Sequence, residues 1–176
     1  GIPLPQYTAA SGNRVWIAGR NGQASVLSCI DRGTRQKCAA AFPIFLRDSA
    51  NVAQTFAAGL VVGHDGAPWV VHSGNQSVSR VDPVSLAVLT VPTGGTGSQG
   101  ICVGIDGDIW VANVNSNSLS RLDPATGLNR PGYPRASGVP SQPGGVIGPT
   151  RCVAGADGDI WATVFDGRPA LPGFIT

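Results

Sequence analysis

Short apolar runs alternate with polar turns along the whole chain, and the pattern recurs about every 40–50 residues. Residues 59–83 and 100–124 align without gaps at a shift of 41, with Trp69 matching Trp110 and Asp82-Pro83 matching Asp123-Pro124. A period of this length is typical of propellers, solenoids and arrays. Residues 150–164 and, more faintly, 9–20 are further copies. The four tryptophans therefore mark one repeat position.

Each copy is predicted to fold as short antiparallel strands. In the clearest copy, the apolar run 101–103 is followed by Asp106-Gly107, a dipeptide typical of a tight hairpin turn. A second strand at 109–112 is apolar on both faces, which suits a sheet packed between two neighbours. A third strand at 118–122 ends at Asp123-Pro124, and a fourth is expected after Leu128.

Three or four such strands per repeat predict one β-propeller blade. We therefore expect an all-β fold, a single β-propeller segment over 1–176 with four-stranded antiparallel blades. The blades are expected at about 1–50, 55–95, 96–145 and 146–176. Residues 1–8 are expected as an edge or inner strand of the first blade, 39–46 as a strand broken by Pro43, and 129–149 as an extended surface connector. The segment 47–58 is the one stretch in which a helical turn or two is expected.

The number of blades leaves three alternatives open. Only 15 residues follow Trp161, whereas the next repeat after Trp69 begins 31 positions later at Gly100, so the chain holds about three and a half to four blades. Propellers close with about four to eight blades. The favoured expectation is a part of a larger ring. The others are a ring completed by a second chain and a small ring that residues 4–10 complete.

Composition agrees with this fold and narrows the partners. Glycine (25) and proline (14) are abundant, all ten acidic residues are aspartate, and eleven of the twelve basic residues are arginine. The shortage of glutamate and lysine, which favour helices, suits an all-β chain. The net charge of +2 is spread along the sequence, so nucleic-acid binding is not expected. No apolar run of about 18 residues is present, so no membrane span is expected.

The four cysteines lack the CxxC spacing of a zinc site and are expected to form disulfides. Cys29 and Cys38 flank an eight-residue loop, and Cys102 and Cys152 lie in the first strands of consecutive repeats. The second pair is the less favoured, because its members are offset by one residue when the repeats are aligned. Four buried free thiols are the alternative. Disulfides indicate a secreted, periplasmic or cell-surface location.

The stretch 105–127, IDGDIWVANVNSNSLSRLDPATG, resembles the repeat of streptogramin lyase (virginiamycin B lyase) and NHL-type propellers. The resemblance covers the second and third repeats, the first half of the fourth, and the first weakly. It implies a propeller fold. Lyases of this type use a histidine acid–base and a glutamate-bound magnesium, and this chain has no glutamate and only His64 and His72. The resemblance therefore implies that lyase residues lie outside this chain.

Candidate chemistry is sparse. His64, His72 and Asn113 are placed at strand ends or turns, where propellers bind ligands, and are the candidate ligand-binding residues. The Asp-Gly-Asp runs are interpreted as turns rather than a metal site, and the tryptophans as core. Arg80 and Arg121 are expected to form cross-blade ion pairs with Asp82 and Asp123. We predict no catalytic residue, metal or cofactor.

The function predicted from the sequence is an extracytoplasmic binding or scaffolding module for a small-molecule or protein ligand. Two alternatives stay open: a streptogramin-lyase-like C–O lyase with its catalytic residues outside this chain, and a structural subunit of a surface assembly. The expected partners are the remaining blades of a longer propeller or a second chain.

Overall fold

The computed structural model describes residues 4–137 and 148–165, with Phe165 described by its backbone alone. Within these ranges, fourteen strands form four antiparallel sheets in chain order. The first sheet consists of β1 (Leu4–Ser11), β2 (Arg14–Asn21), β3 (Ala24–Asp31) and β4 (Ile44–Phe45). The second consists of β5 (Ala57–Val62), β6 (Pro68–His72), β7 (Ser77–Val81) and β8 (Val88–Pro92).

The third sheet contains β9 (Ser98–Val103), β10 (Ile109–Asn113), β11 (Ser118–Leu122) and β12 (Arg135–Ala136), and the fourth contains β13 (Gly148–Ala154) and β14 (Ile160–Phe165). In the three four-stranded sheets each strand pairs with the next along the chain. The register repeats as well, because Trp69 lies opposite Arg80 and Trp110 opposite Arg121. The all-β propeller-blade architecture predicted from the repeat is confirmed.

The first strands of successive sheets lie side by side, with β1 against β5, β5 against β9, and β9 against β13. Glycine permits this close approach. A Cβ placed on Gly59 would lie 2.9 Å from Cγ2 of Ile101, and one on Gly100 would lie 2.7 Å from Cα of Arg151. The four sheets are therefore arranged radially, with their first strands innermost, as in a propeller.

Among the described residues, two hydrophobic clusters fill the spaces between the first three sheets. One, with Trp16 and Leu27, joins the first sheet to the second, and the other, with Trp69 and Ile109, joins the second to the third. The middle strand of the second sheet contributes to both, because Val70 packs in the first cluster and Val71 in the second. This confirms that the sheet is packed on both faces.

The segment 47–58 is not helical, which corrects the prediction of a helical turn there. Its residues form isolated bridges, Arg47 with Ala53 and Ala24 with Thr55. The Asp48 carboxylate accepts hydrogen bonds from the backbone N–H groups of Ala50 and Val52. Such local side-chain-to-backbone bonds compete with helix formation and stabilise a turn.

Residues at the start of the chain pair within the first sheet. β1 pairs with β2 along its length, so it is the inner strand of the first sheet. One of the predicted ring arrangements requires residues 4–10 to complete the last sheet. They do not, because they pair within the first sheet. Of the predicted connector 129–149, residues 138–147 lie outside the described residues. The predicted fourth strand after Leu128 is the short β12.

Within the described ranges no residue is helical, and so no helix there is long and apolar enough to cross a membrane.

Candidate functional site

His72 lies at the end of β6 and is completely buried. Its Nδ1 is 2.9 Å from the Ser25 hydroxyl of the first sheet, and its Nε2 is 2.8 Å from the Ser79 hydroxyl of its own sheet. Burial lowers the pKa of His72 to about 3, because the charged ring would lose its hydration. The imidazole is therefore neutral at physiological pH and links two sheets.

Asn113 is the equivalent residue of the third sheet and is also completely buried. Its amide oxygen accepts a hydrogen bond from the Ser98 hydroxyl at 2.8 Å, and its amide nitrogen donates to the Ser120 hydroxyl at 2.8 Å. Ser98 in turn lies 2.8 Å from the Thr93 hydroxyl. The two strand ends thus carry matching buried hydrogen-bond networks built from different side chains.

His64 is exposed in the turn between β5 and β6, at the opposite end of that hairpin from His72. Its ring packs beside the next sheet's hairpin turn, since a Cβ on Gly107 would lie 3.3 Å from its Nδ1. The structure therefore does not bring His64, His72 and Asn113 together. Their role as ligand-binding residues stays a prediction.

The Asp-Gly turns are stabilised by their own aspartates. Oδ1 of Asp65, Asp106 and Asp157 accepts a hydrogen bond from the backbone N–H two residues later. This agrees with the interpretation of these runs as turns. Among the described residues, no group of three or more histidine, cysteine or acidic side chains is arranged to hold a metal ion.

The arginines of the third strands pair with those turn aspartates, which corrects the predicted cross-blade pairs. Arg80 binds Asp65 at 2.7 Å, and Arg121 binds Asp106 at 2.6 Å and Asp108 at 2.7 Å. The register explains the error, because each arginine lies opposite a tryptophan and next to the turn of its own sheet. Asp82 and Asp123 instead accept backbone N–H groups in the turns that follow.

The four tryptophans are not equally buried. Trp16 and Trp69 have no exposed surface, as predicted for core residues. Trp110 is partly exposed and packs edge-on against Tyr133, with ring centres 5.3 Å apart. The Arg121 guanidinium lies 5.3 Å from the Trp110 ring centre. Trp161 is also partly exposed and lines an apolar hollow on the fourth sheet together with Cys152.

Cys29 and Cys38 form a disulfide bond that joins β3 to the loop before β4, as predicted. Cys102 and Cys152 are separate thiols, so the second predicted disulfide is not present. The two thiols are nevertheless neighbours on β9 and β13, and a hydrogen bond to Cys102, together with burial, raises the pKa of the Cys152 thiol. The one-residue offset between the repeats turns one thiol away from the geometry of a bridge.

A cavity of about 190 Å³ lies where the first strands of the four sheets meet. The polar and aromatic residues that line it are Tyr7 of β1, Arg20 of β2, Phe56 before β5, Ser73 after β6, Gln99 of β9 and Arg151 of β13. The Arg20 guanidinium lies 5.5 Å from the Phe56 ring centre. The Arg151 guanidinium donates to the carbonyls of Ala58 and Gln99, both at 3.2 Å.

Sequence reasoning missed this cavity, although one signal for it exists. With Trp161 aligned on Trp110, Arg151 occupies the position that Gly59 and Gly100 hold in the two clearest repeats. The register agrees, since Gly100 lies opposite Ala112 and Arg151 opposite Thr163. A charged side chain in place of an inner-strand glycine is therefore the sequence feature that indicates a site where the first strands meet.

No protein-family model and no curated protein matches the chain. Solved structures do. Virginiamycin B lyase from Staphylococcus aureus superposes with a TM-score of 0.64 at 21% identity, over 90% of this chain and 48% of the lyase. Hydrazine synthase from Kuenenia stuttgartiensis superposes with a TM-score of 0.66 at 18% identity, over 96% of this chain and 46% of that one.

An auxiliary nutrient binding protein from Bacteroides ovatus gives a TM-score of 0.55 at 16% identity, over 88% of this chain and 33% of that protein. The chain spans about half the length of the lyase structures that it matches. At these identities the likeness establishes the fold. The chain is a β-propeller segment whose blades resemble those of streptogramin B lyase.

Proposed function

We propose that the chain is an extracytoplasmic β-propeller binding module that holds a small ligand in the cavity between its innermost strands. The observation that carries the proposal is the cavity itself, which takes residues from all four sheets. A site shared by several elements is a common place for a ligand, because each element contributes one or two polar groups to it. Such a ligand also links the sheets to one another.

Binding is tested by blocking the cavity. Gln99 is exposed on β9 and is one of the residues that line the cavity. Gln99→Trp is expected to fill the space without disturbing buried contacts. Leu89→Trp is the matched control, because Leu89 is 40% exposed on the outer strand β8. Ligand-observed NMR with a panel of neutral and charged fragments should find ligands that bind the native chain and the control but not Gln99→Trp.

Fragments that bind all three proteins equally contradict a ligand site in the cavity. A native chain that binds no fragment contradicts the function as a whole.

The extracytoplasmic location is supported by the Cys29–Cys38 disulfide, since such bonds persist in oxidising compartments. Peptide mapping of non-reduced protein isolated from its source tests this part. We expect the peptides of Cys29 and Cys38 to be linked, and Cys102 and Cys152 to be alkylated once the protein is unfolded. Four alkylated cysteines contradict the location.

The proposed partners are further blades or a second chain, placed against the fourth sheet. Val153 is 61% exposed there, beside an apolar hollow of about 370 Å³. An apolar sheet face of this kind favours association. Sedimentation of the 176-residue chain at micromolar concentration is expected to show self-association. A stable monomer with one sharp unfolding transition contradicts this part of the proposal.

A second candidate is a streptogramin-lyase-like C–O lyase, and the structural likeness to virginiamycin B lyase supports it. The absence of glutamate from the sequence speaks against activity in this chain alone. Quinupristin is the compound in the structure of a catalytically inactive virginiamycin B lyase that resembles this chain. Chromatography of quinupristin incubated with the chain and Mg²⁺ separates the two candidates, because the binding module leaves the compound unchanged. A structural subunit of a surface assembly, the third alternative, predicts that no fragment binds in the cavity.

A further inference from the structure

Phe56, at the edge of the cavity, has a backbone conformation that phenylalanine rarely adopts. Its φ is +55°, in the left-handed region where a Cβ is crowded by the backbone. The equivalent residue of the next repeat, 41 positions on, is Gly97, with a φ of +69°. Glycine adopts this conformation without steric cost. The chain therefore places a large aromatic residue where the repeat uses glycine.

The surrounding backbone imposes this conformation. The Phe56 N–H donates to the Gln23 carbonyl at 3.0 Å, and the Phe56 carbonyl accepts the Ser73 N–H at 3.0 Å. The side chain is accommodated by a second change. Gly74 faces Thr55 and Phe56, whereas Asn115 occupies the equivalent position opposite Gly97. Phe56 remains 36% exposed, so the ring adds little to the core.

Arg151 is a second departure from the repeat at the same cavity. It replaces the glycine of the inner strand and is exposed. Its two bonds to the carbonyls of Ala58 and Gln99 leave some of its five N–H donors free for a ligand. Arg20 donates through Nε to the side-chain oxygen of Gln6 at 3.0 Å, which leaves its terminal nitrogens available.

The two arginines bring positive charge to the cavity without a counter-charge. Neither forms an ion pair with any acidic side chain in the described ranges, where the ion-paired arginines are Arg80, Arg121 and Arg130. The cavity lining contains no acidic residue among those described. A guanidinium binds carboxylate and phosphate groups through paired hydrogen bonds. Phe56 and Tyr7 offer aromatic surface beside it.

From this combination we infer that the ligand of the proposed binding site is a small organic anion with an aromatic or apolar body. Arg20 and Arg151 bind its acidic group, and Phe56 packs against its body. This inference rests on the proposed function, because it names the ligand class for the same cavity. The acidic group is a carboxylate or a phosphate, and the experiment distinguishes them.

Calorimetric titration with four probes tests the inference. Benzoate and phenyl phosphate carry both features, inorganic phosphate lacks the ring, and benzamide lacks the charge. We expect at least one aromatic anion to bind more tightly than both other probes, and the tighter of the two identifies the acidic group. Its affinity should fall as sodium chloride rises, because salt screens exposed charges.

Four variants complete the test. Arg20→Gln and Arg151→Gln should each weaken the aromatic anion about tenfold, the usual scale for one charge-assisted interaction. Arg135→Gln makes the same charge change on the distant β12, and its affinity for the aromatic anion should stay within about twofold of the native value.

Phe56→Gly should weaken binding while the melting temperature stays the same or rises, because glycine relieves the left-handed strain. A fall in melting temperature without loss of affinity assigns Phe56 a structural role and overturns its part in binding.

Equal affinity for benzamide and benzoate, or equal effects of Arg135→Gln and Arg20→Gln, overturns the inference. Failure here is distinguishable from failure of the proposed function. If Gln99→Trp blocks neutral fragments while anions show no preference, the binding module stands and only the ligand class is wrong.

Discussion

The loops around 55–75 and 96–116 share one backbone frame but differ in the side chains that it presents. In both, the residue after the second strand donates its N–H across to the loop before the first strand, Ser73 to Phe56 and Val114 to Gly97. Thr55 and Thr96 each accept backbone hydrogen bonds at equivalent positions. Yet Phe56 faces Gly74 where Gly97 faces Asn115. The large and small residues have changed places within a constant frame.

The two repeats share the main-chain hydrogen bonds of these loops but differ in the size of the side chains within them. Hydrogen bonds between main-chain groups depend little on the side chain, so the frame survives sequence change. Side chains that point into the cavity are not needed to maintain these hydrogen bonds. At Phe56 and Arg151, which line the cavity, the chain departs from its own repeat. Such departures mark the cavity better than the regular positions do.

The largest expected difference between the two repeats concerns their tryptophans. Trp69 is fully buried, and Trp69→Ala is expected to lower the free energy of unfolding by about 3–5 kcal/mol, the usual cost of emptying a large core site. Trp110 is partly exposed against Tyr133, so Trp110→Ala should cost less. Urea unfolding of both variants measures the difference. Equal losses show that the Trp110 contacts are as important as full burial.

The exchange of large and small residues is tested by building it into the other repeat. Gly97→Phe places a Cβ at a φ of +69° and directs the side chain at Asn115. We expect a loss of about 2–4 kcal/mol, from backbone strain and overpacking together. Adding Asn115→Gly should recover about 1–2 kcal/mol of it, because the clash is removed while the strain remains. Purely additive effects contradict the coupling.

The buried networks at His72 and Asn113 should differ in their response to pH. The pKa of His72 is lowered to about 3 in the fold from 6.5 in the unfolded chain. Below pH 6.5 the unfolded state binds a proton that the folded state does not, so stability falls as the pH falls, until about pH 3. The slope approaches about 1.4 kcal/mol per pH unit.

Unfolding measured between pH 6.5 and 4.5 tests this expectation. The aspartates with lowered pKa values, such as Asp65 and Asp108, add their own loss only as the pH falls toward 3.8 and below. His72→Asn, which copies the residue of the third sheet, should flatten the curve over the upper range. His64→Asn, at the exposed histidine, is the control. A native chain with no slope there contradicts a neutral, buried His72.

Much of the fold was predictable because it depends on local and periodic features. The 41-residue shift, the Asp-Gly turns and the apolar strands predict the sheets, and the spacing of Cys29 and Cys38 predicts their bond. The site was not predictable in the same way. His72 ends a strand, but Ser25 from the preceding sheet covers it. Arg80 pairs with a turn 15 residues earlier because of strand register, not because of the nearby Asp82. The cavity depends on residues of four sheets that meet only after folding.

The smallest expected difference concerns the ion pairs at the hairpin turns. In the second sheet Arg80 meets Asp65 alone, and the aspartate side chain is 41% exposed. In the third sheet Arg121 and Arg130 both bind Asp108, whose side chain is only 3% exposed. Arg80→Gln should cost less than about 1 kcal/mol, because water screens an exposed pair.

Arg121→Gln should cost more than Arg80→Gln, because a nearly buried carboxylate loses one of its two partners. Chemical unfolding at low and at 1 M sodium chloride separates the two cases. Salt should remove most of the small Arg80 effect, since the Debye length falls to about 3 Å at that concentration, and should leave much of the Arg121 effect. The two arginines occupy the same repeat position and the same register. The two pairs differ in the burial of the aspartate. Equal, salt-sensitive losses for both variants therefore contradict the expectation that the burial of Asp108 strengthens its ion pair.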